Sequence, residues 1–384
     1  MVTLEHLSVK DRDKGRALDV AETGGFKTAG TTHRRAESRE FFLNQQKNFA
    51  LSLVLLLGCY SALLVPAYLP TQQPIWSERS TEDTGVLLNV SAALLSRSCR
   101  PSRSSERLKA VPQLQGLLDS VPVFVLNSSA RWELPPPLGF QGSDDALNQA
   151  LRALPHTSLP PAPATRCSRC VVVGSSGVLQ GKQLGDHIDR YDVIIRMNNA
   201  PVFGFEKDTG SRTTIRLLYP EGAPFVKQEY QRTDIIALVV FKRLDLEWLT
   251  SVVTKKTLGW WSKLWFWRDV VTEIPLEPKN FRILNPEILK RTWHVLLSYT
   301  KQEKKTVPTL GISAVVLALQ LCDEVSLAGF GYDLQQPGAL LHYYETLRMD
   351  AMTTQIIHDI STERRLLHEL VAAGVVHDLT GALR

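Results

Sequence analysis

The turn Gly174-Ser175-Ser176-Gly177 directly follows the apolar run Cys170-Val171-Val172-Val173. Two glycines let a backbone approach a ligand closely and leave N–H groups free for an anion. Thr309-Leu310-Gly311 opens a second apolar stretch. The free N–H groups and dipole of a helix start there can hold a phosphate. His342-Tyr343-Tyr344-Glu345 and the pair His358 and Glu363 add imidazoles and carboxylates. Each feature alone also has a plain reading: a βα turn, a helix cap, and a solvated surface. The turn is not the G-x-G-x-x-G of a dinucleotide fold, which argues against an oxidoreductase.

The elements that must position these residues alternate along the chain. Strands are expected at 170–173, 193–197, 213–219, 234–241, 281–285 and 324–330, and helices at 243–255, 286–300 and 309–321. Pro286 suits the first turn of its helix. This alternation predicts one α/β domain, a Rossmann-like, mainly parallel sheet with helices on both faces. Ligands in such sheets bind at the carboxyl ends of the strands, where the 174–177 turn and Asn198 would lie.

The 384 residues carry a net charge of +5 and are 44% apolar. This suits a packed globule and does not point to nucleic-acid binding. Residues 49–69 form an uncharged stretch of 21 residues, long enough for a membrane span of about 20 residues. Arg34, Arg35, Arg39 and Lys47 precede it. The positive-inside rule then predicts a signal anchor with a cytoplasmic tail at 1–48 and a lumenal C-terminal bulk, a type II topology. Residues 70–165 read as a Pro- and Ser-rich stem with sequons at Asn89 and Asn127. Leu87 to Leu95 and Val121 to Leu126 are apolar enough to pack on the catalytic domain, expected at 166–384.

Cys59 falls in the span, and Cys99, Cys167, Cys170 and Cys322 form an even lumenal set. No second C-x-x-C accompanies Cys167-x-x-Cys170, so disulfides are favoured over zinc. The stretch 259–267, GWWSKLWFW, holds more aromatics than one strand face can bury. It reads either as a packed loop or dimer patch, or as an exposed edge at a membrane interface.

Cys167 to Pro220 resembles the large sialyl motif of the eukaryotic sialyltransferases. Pro308 to Tyr332 resembles the small motif, 342–345 the third, and His358 with Glu363 the very small one. The four occur in the family's order and span Cys167 to Glu363. The resemblance implies a GT-A-like variant fold, a Golgi membrane location and CMP-sialic acid as donor. Ser175, Asn198, Thr309 and Gly311 would bind the CMP moiety, with Ser175 standing where many members have Asn. His358 would be the general base and His342 would stabilise the departing phosphate. Tyr343 would support the site, and Glu363 would orient the base or shape the nearby turn. The family pairs Cys170 with Cys322, which leaves Cys99 and Cys167 as the second pair.

The expected acceptor is the 3-hydroxyl of a terminal galactose. The segments at 219–224, 282–286, 322–337 and 374–381 look closest to members that act on lactosylceramide in ganglioside biosynthesis. Other galactose-terminated lipids and glycoproteins stay open as acceptors, and a homodimer stays open as an assembly. No cofactor or metal is expected, since no Asp-x-Asp lies at a strand end. Asp245-Leu246-Glu247 is the nearest approach and looks helical. The rival readings are a metal-dependent transferase with a sugar-diphosphate donor and an inactive CMP- or glycan-binding protein.

Overall fold

Seven short strands make one sheet: β1 (Arg169–Val173), β2 (Val193–Met197), β3 (Thr213–Leu218), β4 (Thr233–Leu238), β5 (Phe281–Ile283), β6 (Glu324–Ala328) and β7 (Val376–Asp378). Their order is β5-β4-β3-β2-β1-β6-β7, and every neighbouring pair is parallel. Parallel strands need covered faces, which is why β1 and β2 are mostly apolar at successive positions. In β1, Cys170 and Val172 join a core with Ile195, Ile215 and Val315. Val171 and Val173 join another with Leu184, Ile188 and Ile194. Side chains alternate across a strand, so these cores lie on opposite faces.

The computed structural model describes Leu53 and residues 81–117, 119–127, 131–155, 167–300, 306–332, 338–352 and 358–383. Its longer helices are α1 (Thr81–Ser96), α2 (Arg103–Lys109), α3 (Asp144–Ala153), α4 (Arg243–Thr254), α5 (Pro286–Ser298), α6 (Leu310–Leu321) and α7 (Ile360–Ala372). Ile288 of α5, Val315 of α6 and Leu366 of α7 share the core on one face. Leu147 of α3 and Leu249 of α4 cover β4 and β5 on the other. Among the described residues no helix is long and apolar enough to cross a membrane. The expected tail at 1–48 and span at 49–69 lie outside the described residues, Leu53 excepted.

The described parts of the stem expected at 70–165 pack with the residues after 166. Ser80–Arg384 forms one compact unit, so much of the expected stem belongs to the fold. Leu87, Leu108, Leu114, Leu117 and Phe124 are buried. The Val123 carbonyl accepts from the Asn285 amide at 3.0 Å and the Val125 amide donates to Ile283 at 3.0 Å. Prolines mark the connections here, while the apolar faces between them pack on the sheet. Asn89 and Asn127 are both exposed.

Strands end earlier than expected where the next residue has another task. Gly329 turns to φ 74° after β6, and the Asn285 side chain caps α5 by accepting from the Glu287 amide. β7, within the GVVHDLTG segment, is too short to announce itself by pattern. Disulfides join Cys170 to Cys322 with 5.7 Å between Cα atoms, and Cys99 to Cys167 with 5.8 Å. The first links the start of β1 to the residue that ends α6.

The strand order reverses between β1 and β6. From β1 the chain moves outward through β5, then returns to add β6 and β7 on the other side. The crevice at the carboxyl ends of β1 and β6 is therefore the topological switch point.

Candidate active site

The 174–177 turn sits at that crevice, but most of its amides are already used. Gly174 donates to the Ala328 carbonyl at 2.7 Å, Ser176 to Gly329 at 3.1 Å and Gly177 to Leu341 at 3.2 Å. A Cβ on Gly174 would lie 2.3 Å from the Gly329 carbonyl oxygen, and one on Gly177 would lie 2.5 Å from that of Leu340. Both glycines are thus required for close backbone packing. This corrects the expectation that the turn offers a nest of free N–H groups. Its main work is to strap the His342 segment to the end of β1. The Ser175 carbonyl accepts from Tyr343 at 3.1 Å, and the Ser175 side chain interacts with the Tyr344 phenol.

His342 is held from three sides. Its ring stacks on Tyr344 with centroids 5.2 Å apart, and Tyr332 meets it edge-on at 6.1 Å. Its Nδ1 bonds the Glu345 carboxylate. A carboxylate only accepts, so Nδ1 carries the proton there. Tyr343 is buried, and its hydroxyl donates to the Pro201 carbonyl at 2.6 Å. Burial pushes this phenol up to about 12, which keeps it a donor. Tyr343 therefore positions the site by tying His342 to the loop after β2.

That loop carries Asn198 in the left-handed region at φ 49°, a conformation asparagine tolerates. Its Oδ1 is buried and has no hydrogen-bond partner among the described residues. A Cβ on Gly222 would lie 2.2 Å from this atom, so glycine there keeps the space open. An unused acceptor at a strand's carboxyl end suits a polar ligand. Arg216 supports the loop from beneath. Its guanidinium donates to the carbonyls of Asn198 at 2.8 Å and Ala200 at 2.9 Å. It also pairs with Glu229 at 2.9 Å, whose carboxylate accepts from the Val202 and Phe203 amides. Sequence reading missed this buried pair, because nothing local links residues that meet only across β3 and the loop before β4.

A second group gathers at the start of α6. The Thr309 hydroxyl accepts from the Ile312 amide at 3.3 Å, an N-cap. The Leu310 and Gly311 amides, in the first turn, have no intrahelical partner. Glu363, from the first turn of α7, accepts from the Thr309 amide at 2.7 Å and the Thr309 hydroxyl at 2.5 Å. Glu363 is thereby bonded to the turn that opens α6. Burial pushes its carboxyl from 4.5 up to about 7, against the opposing pull of the Thr309 donors.

A raised carboxylate pKa means that the folded state holds the proton over a pH range where the unfolded chain has lost it. The stability this contributes is fully present below 4.5 and is lost as pH rises toward 7. Glu363→Gln, whose amide oxygen still accepts from Thr309, is expected to flatten that slope in urea titrations at stepped pH. A slope unchanged in the variant would assign it to another group.

His358 immediately precedes this clamp. Its Nδ1 lies 2.6 Å from the Val307 carbonyl oxygen. A carbonyl only accepts, so Nδ1 carries the proton and Nε2 keeps its lone pair in the neutral ring. Burial pulls its pKa below the usual imidazole value, partly offset by the Val307 bond. His358 and Glu363 thus hold neighbouring points of one segment, 307–309.

The two groups meet at Phe330, just after β6. A Cβ on Gly174 would lie 3.2 Å from Phe330 Cδ2, and one on Gly311 would lie 3.4 Å from Phe330 Cε1. The ring therefore spaces the 174–177 turn from the α6 start. Ser175, Asn198, His342 and Tyr343 lie on one side, and Thr309, Gly311, His358 and Glu363 on the other.

The Asp245-Leu246-Glu247 run is helical, in α4. Asp245 is buried and accepts from the Phe241 and Lys242 amides, and Glu247 pairs with Arg243. Both carboxylates are therefore committed to the fold. Among the described residues no group of three His, Cys, Asp or Glu could hold a metal ion.

Residues 124–375 match the family model for glycosyltransferase family 29, sialyltransferase. The chain is 44% identical over 301 residues to the human lactosylceramide alpha-2,3-sialyltransferase, covering 76% of this chain and 72% of that one. It is 40% identical over 296 residues to the human CMP-N-acetylneuraminate-beta-1,4-galactoside alpha-2,3-sialyltransferase, with 74% and 78% covered. A crystal structure of a mammalian sialyltransferase superposes with a TM-score of 0.58 at 27% identity, over 74% of this chain and 99% of the other. A complex with Gal-beta-1-3GalNAc-ortho-nitrophenol superposes at TM-score 0.58 and 26% identity, over 74% of this chain and 100% of the other. The matched span runs from the segment that pairs with β5 to the threshold of β7, and on that extent the chain belongs to glycosyltransferase family 29, the sialyltransferases.

Proposed function

We propose that the protein transfers sialic acid from CMP-sialic acid to the 3-hydroxyl of the terminal galactose of lactosylceramide, with inversion at the anomeric carbon. The observation that carries this reading is His358, whose Nδ1 is committed to Val307 and whose Nε2 is left to act as a base beside the α6 start. The names of the relatives with 41–44% identity support the lipid acceptor.

In the reaction the acceptor oxygen forms a bond to the anomeric carbon of sialic acid as the bond from that carbon to the CMP phosphate oxygen breaks. The galactose hydroxyl is a poor nucleophile at neutral pH, and His358 Nε2 takes its proton as attack proceeds. The departing CMP phosphate gathers negative charge. His342, with Nδ1 bonded to Glu345, presents its other nitrogen to that charge, and the Leu310 and Gly311 amides add the field of the helix start. Asn198 and Ser175 hold the nucleoside part. The sequence has no Asp-x-Asp at a strand end, and a monophosphate leaves with less charge than a diphosphate. Both points support a metal-independent reaction.

The sheet, read with the relatives, supports the GT-A-like variant of the family. The uncharged stretch at 49–69 supports a type II anchor, a cytoplasmic tail at 1–48 and a lumenal catalytic unit at the Golgi membrane.

The test is transfer of labelled sialic acid by the full chain with EDTA present. Lactosylceramide, galactosylceramide and a desialylated glycoprotein would be offered in parallel. Label is expected on lactosylceramide. Transfer mainly to the glycoprotein would replace the acceptor, and CMP binding with no transfer would make the protein an inactive binder.

A further inference from the structure

Residues 255–268 read KKTLGWWSKLWFWR, with four cations and no anion. Leu258 and Phe266 are buried in the core beneath α4. The Trp248 indole of α4 donates to the Val271 carbonyl at 2.7 Å, which closes the segment's far end. Yet the outward side is apolar as well. Trp260, Trp261, Leu264 and Trp265 are 60–78% exposed, and Trp267 is 44% exposed. The segment is therefore pinned by its inner residues and presents tryptophans to the outside. Lys255, Lys256, Lys263 and Arg268 flank them and are exposed. An exposed apolar patch of this kind marks an interaction surface. Indoles mixed with cations suit the headgroup region of a bilayer, where the ring body is buried and the N–H stays hydrated.

The position of the segment adds to its composition. The Phe266 ring lies 4.7 Å from Lys242 Nζ. Lys242 pairs with Glu221 at 2.5 Å, and the neighbouring Gly222 backs onto the Asn198 side chain. A short chain of contacts thus joins the aromatic segment to the loop that we assign to the donor. Phe225 and Val226, just beyond Gly222, are 61% and 51% exposed, and Lys227 reaches Glu273 at 3.7 Å, past the far end of the segment. The exposed apolar residues therefore lie at the carboxyl-end side of β3 and β4, the side that carries Asn198.

We propose that 258–267 is a docking surface for a lipid bilayer. It lays the active-site face against the membrane, so that the sugar headgroup of an embedded glycolipid reaches the site without leaving the lipid. This rests on the glycolipid-acceptor reading above. The cations match phosphate-bearing headgroups, and the tryptophans enter the interface.

The test uses the full chain reconstituted in phosphatidylcholine vesicles that contain lactosylceramide, beside the triple variant Trp260→Ser, Trp261→Ser, Trp265→Ser. All three side chains are exposed, and none belongs to the catalytic or donor-binding set. The variant is expected to raise KM for lactosylceramide in the bilayer by about tenfold or more. Its kcat and KM for a soluble lactoside should stay unchanged, which also shows that it is folded. Brominated lipid should quench tryptophan fluorescence strongly in the parent and weakly in the variant. Unchanged bilayer KM together with unchanged quenching would overturn the proposal. So would a variant that turns a dimer into a monomer in sedimentation while its vesicle kinetics stay the same, since the surface would then belong to a second copy. Strong quenching in a parent that transfers only to soluble galactosides would uphold the surface and overturn the acceptor reading.

Discussion

His358→Ala is expected to lower kcat by about two to four orders of magnitude, the usual worth of a positioned general base. CMP binding, measured by calorimetry, is expected to stay close to that of the parent, because the proposed work of the imidazole is on the acceptor's proton. The side chain is only partly buried and its one described bond is to the Val307 carbonyl, so the loss of fold stability is small. The parent's kcat/KM should fall as pH drops through the pKa of His358, where Nε2 becomes protonated. Burial places that limb below the ordinary imidazole value of 6.5. An acid limb above 6.5, or a variant with near-parental turnover, would remove His358 from the role of base.

Glu229→Ala is expected to have the largest effect on stability. Arg216 is fully buried and Glu229 nearly so. Burial already works against the Arg216 charge, and the Glu229 carboxylate is the first influence that sustains it. Removing the carboxylate leaves a buried cation whose charged partner is gone, which costs about 3–5 kcal/mol. It also frees the Val202 and Phe203 amides that the carboxylate caps. The urea midpoint should fall accordingly. Because Arg216 holds the Asn198 carbonyl, the surviving folded protein should also bind CMP more weakly. Glu229→Gln retains an acceptor for the amides and should restore part of the stability. A Glu229→Ala protein with parental urea midpoint and CMP affinity would show that the pair is dispensable.

The strands were legible because parallel strands covered on both faces must be apolar at successive positions, and Val171 to Val173 or Ile194 to Ile195 announce themselves in that way. His342, His358 and Glu363 were legible as members of motifs. What they touch was less so. Glu363 lies 54 residues from its partner Thr309, and no local pattern relates the two. Glu345 was visible beside His342 but had no assigned task until the fold turned its carboxylate onto Nδ1. The packing of the stem at 103–117 was hidden for a related reason. Local richness in proline and serine disfavours a core, yet Leu108, Leu114 and Leu117 find theirs on α5 and α6, elements far along the chain.

By itself the sequence determined the α/β class, the succession of most strands and helices, the even set of four cysteines beyond the 49–69 stretch and the residue types of the site. These depend on composition, period and short-range spacing, which a chain carries in any conformation. The tertiary structure decided how the Gly174–Gly177 amides are spent, that Glu363 serves Thr309, that Arg216 and Glu229 carry the Asn198 loop, and that the tryptophans of 260–267 face outward. Each of these depends on which surfaces meet once the strand order reverses between β1 and β6. Such meetings are set by packing the whole sheet and its covering helices, so no stretch of the chain encodes them alone.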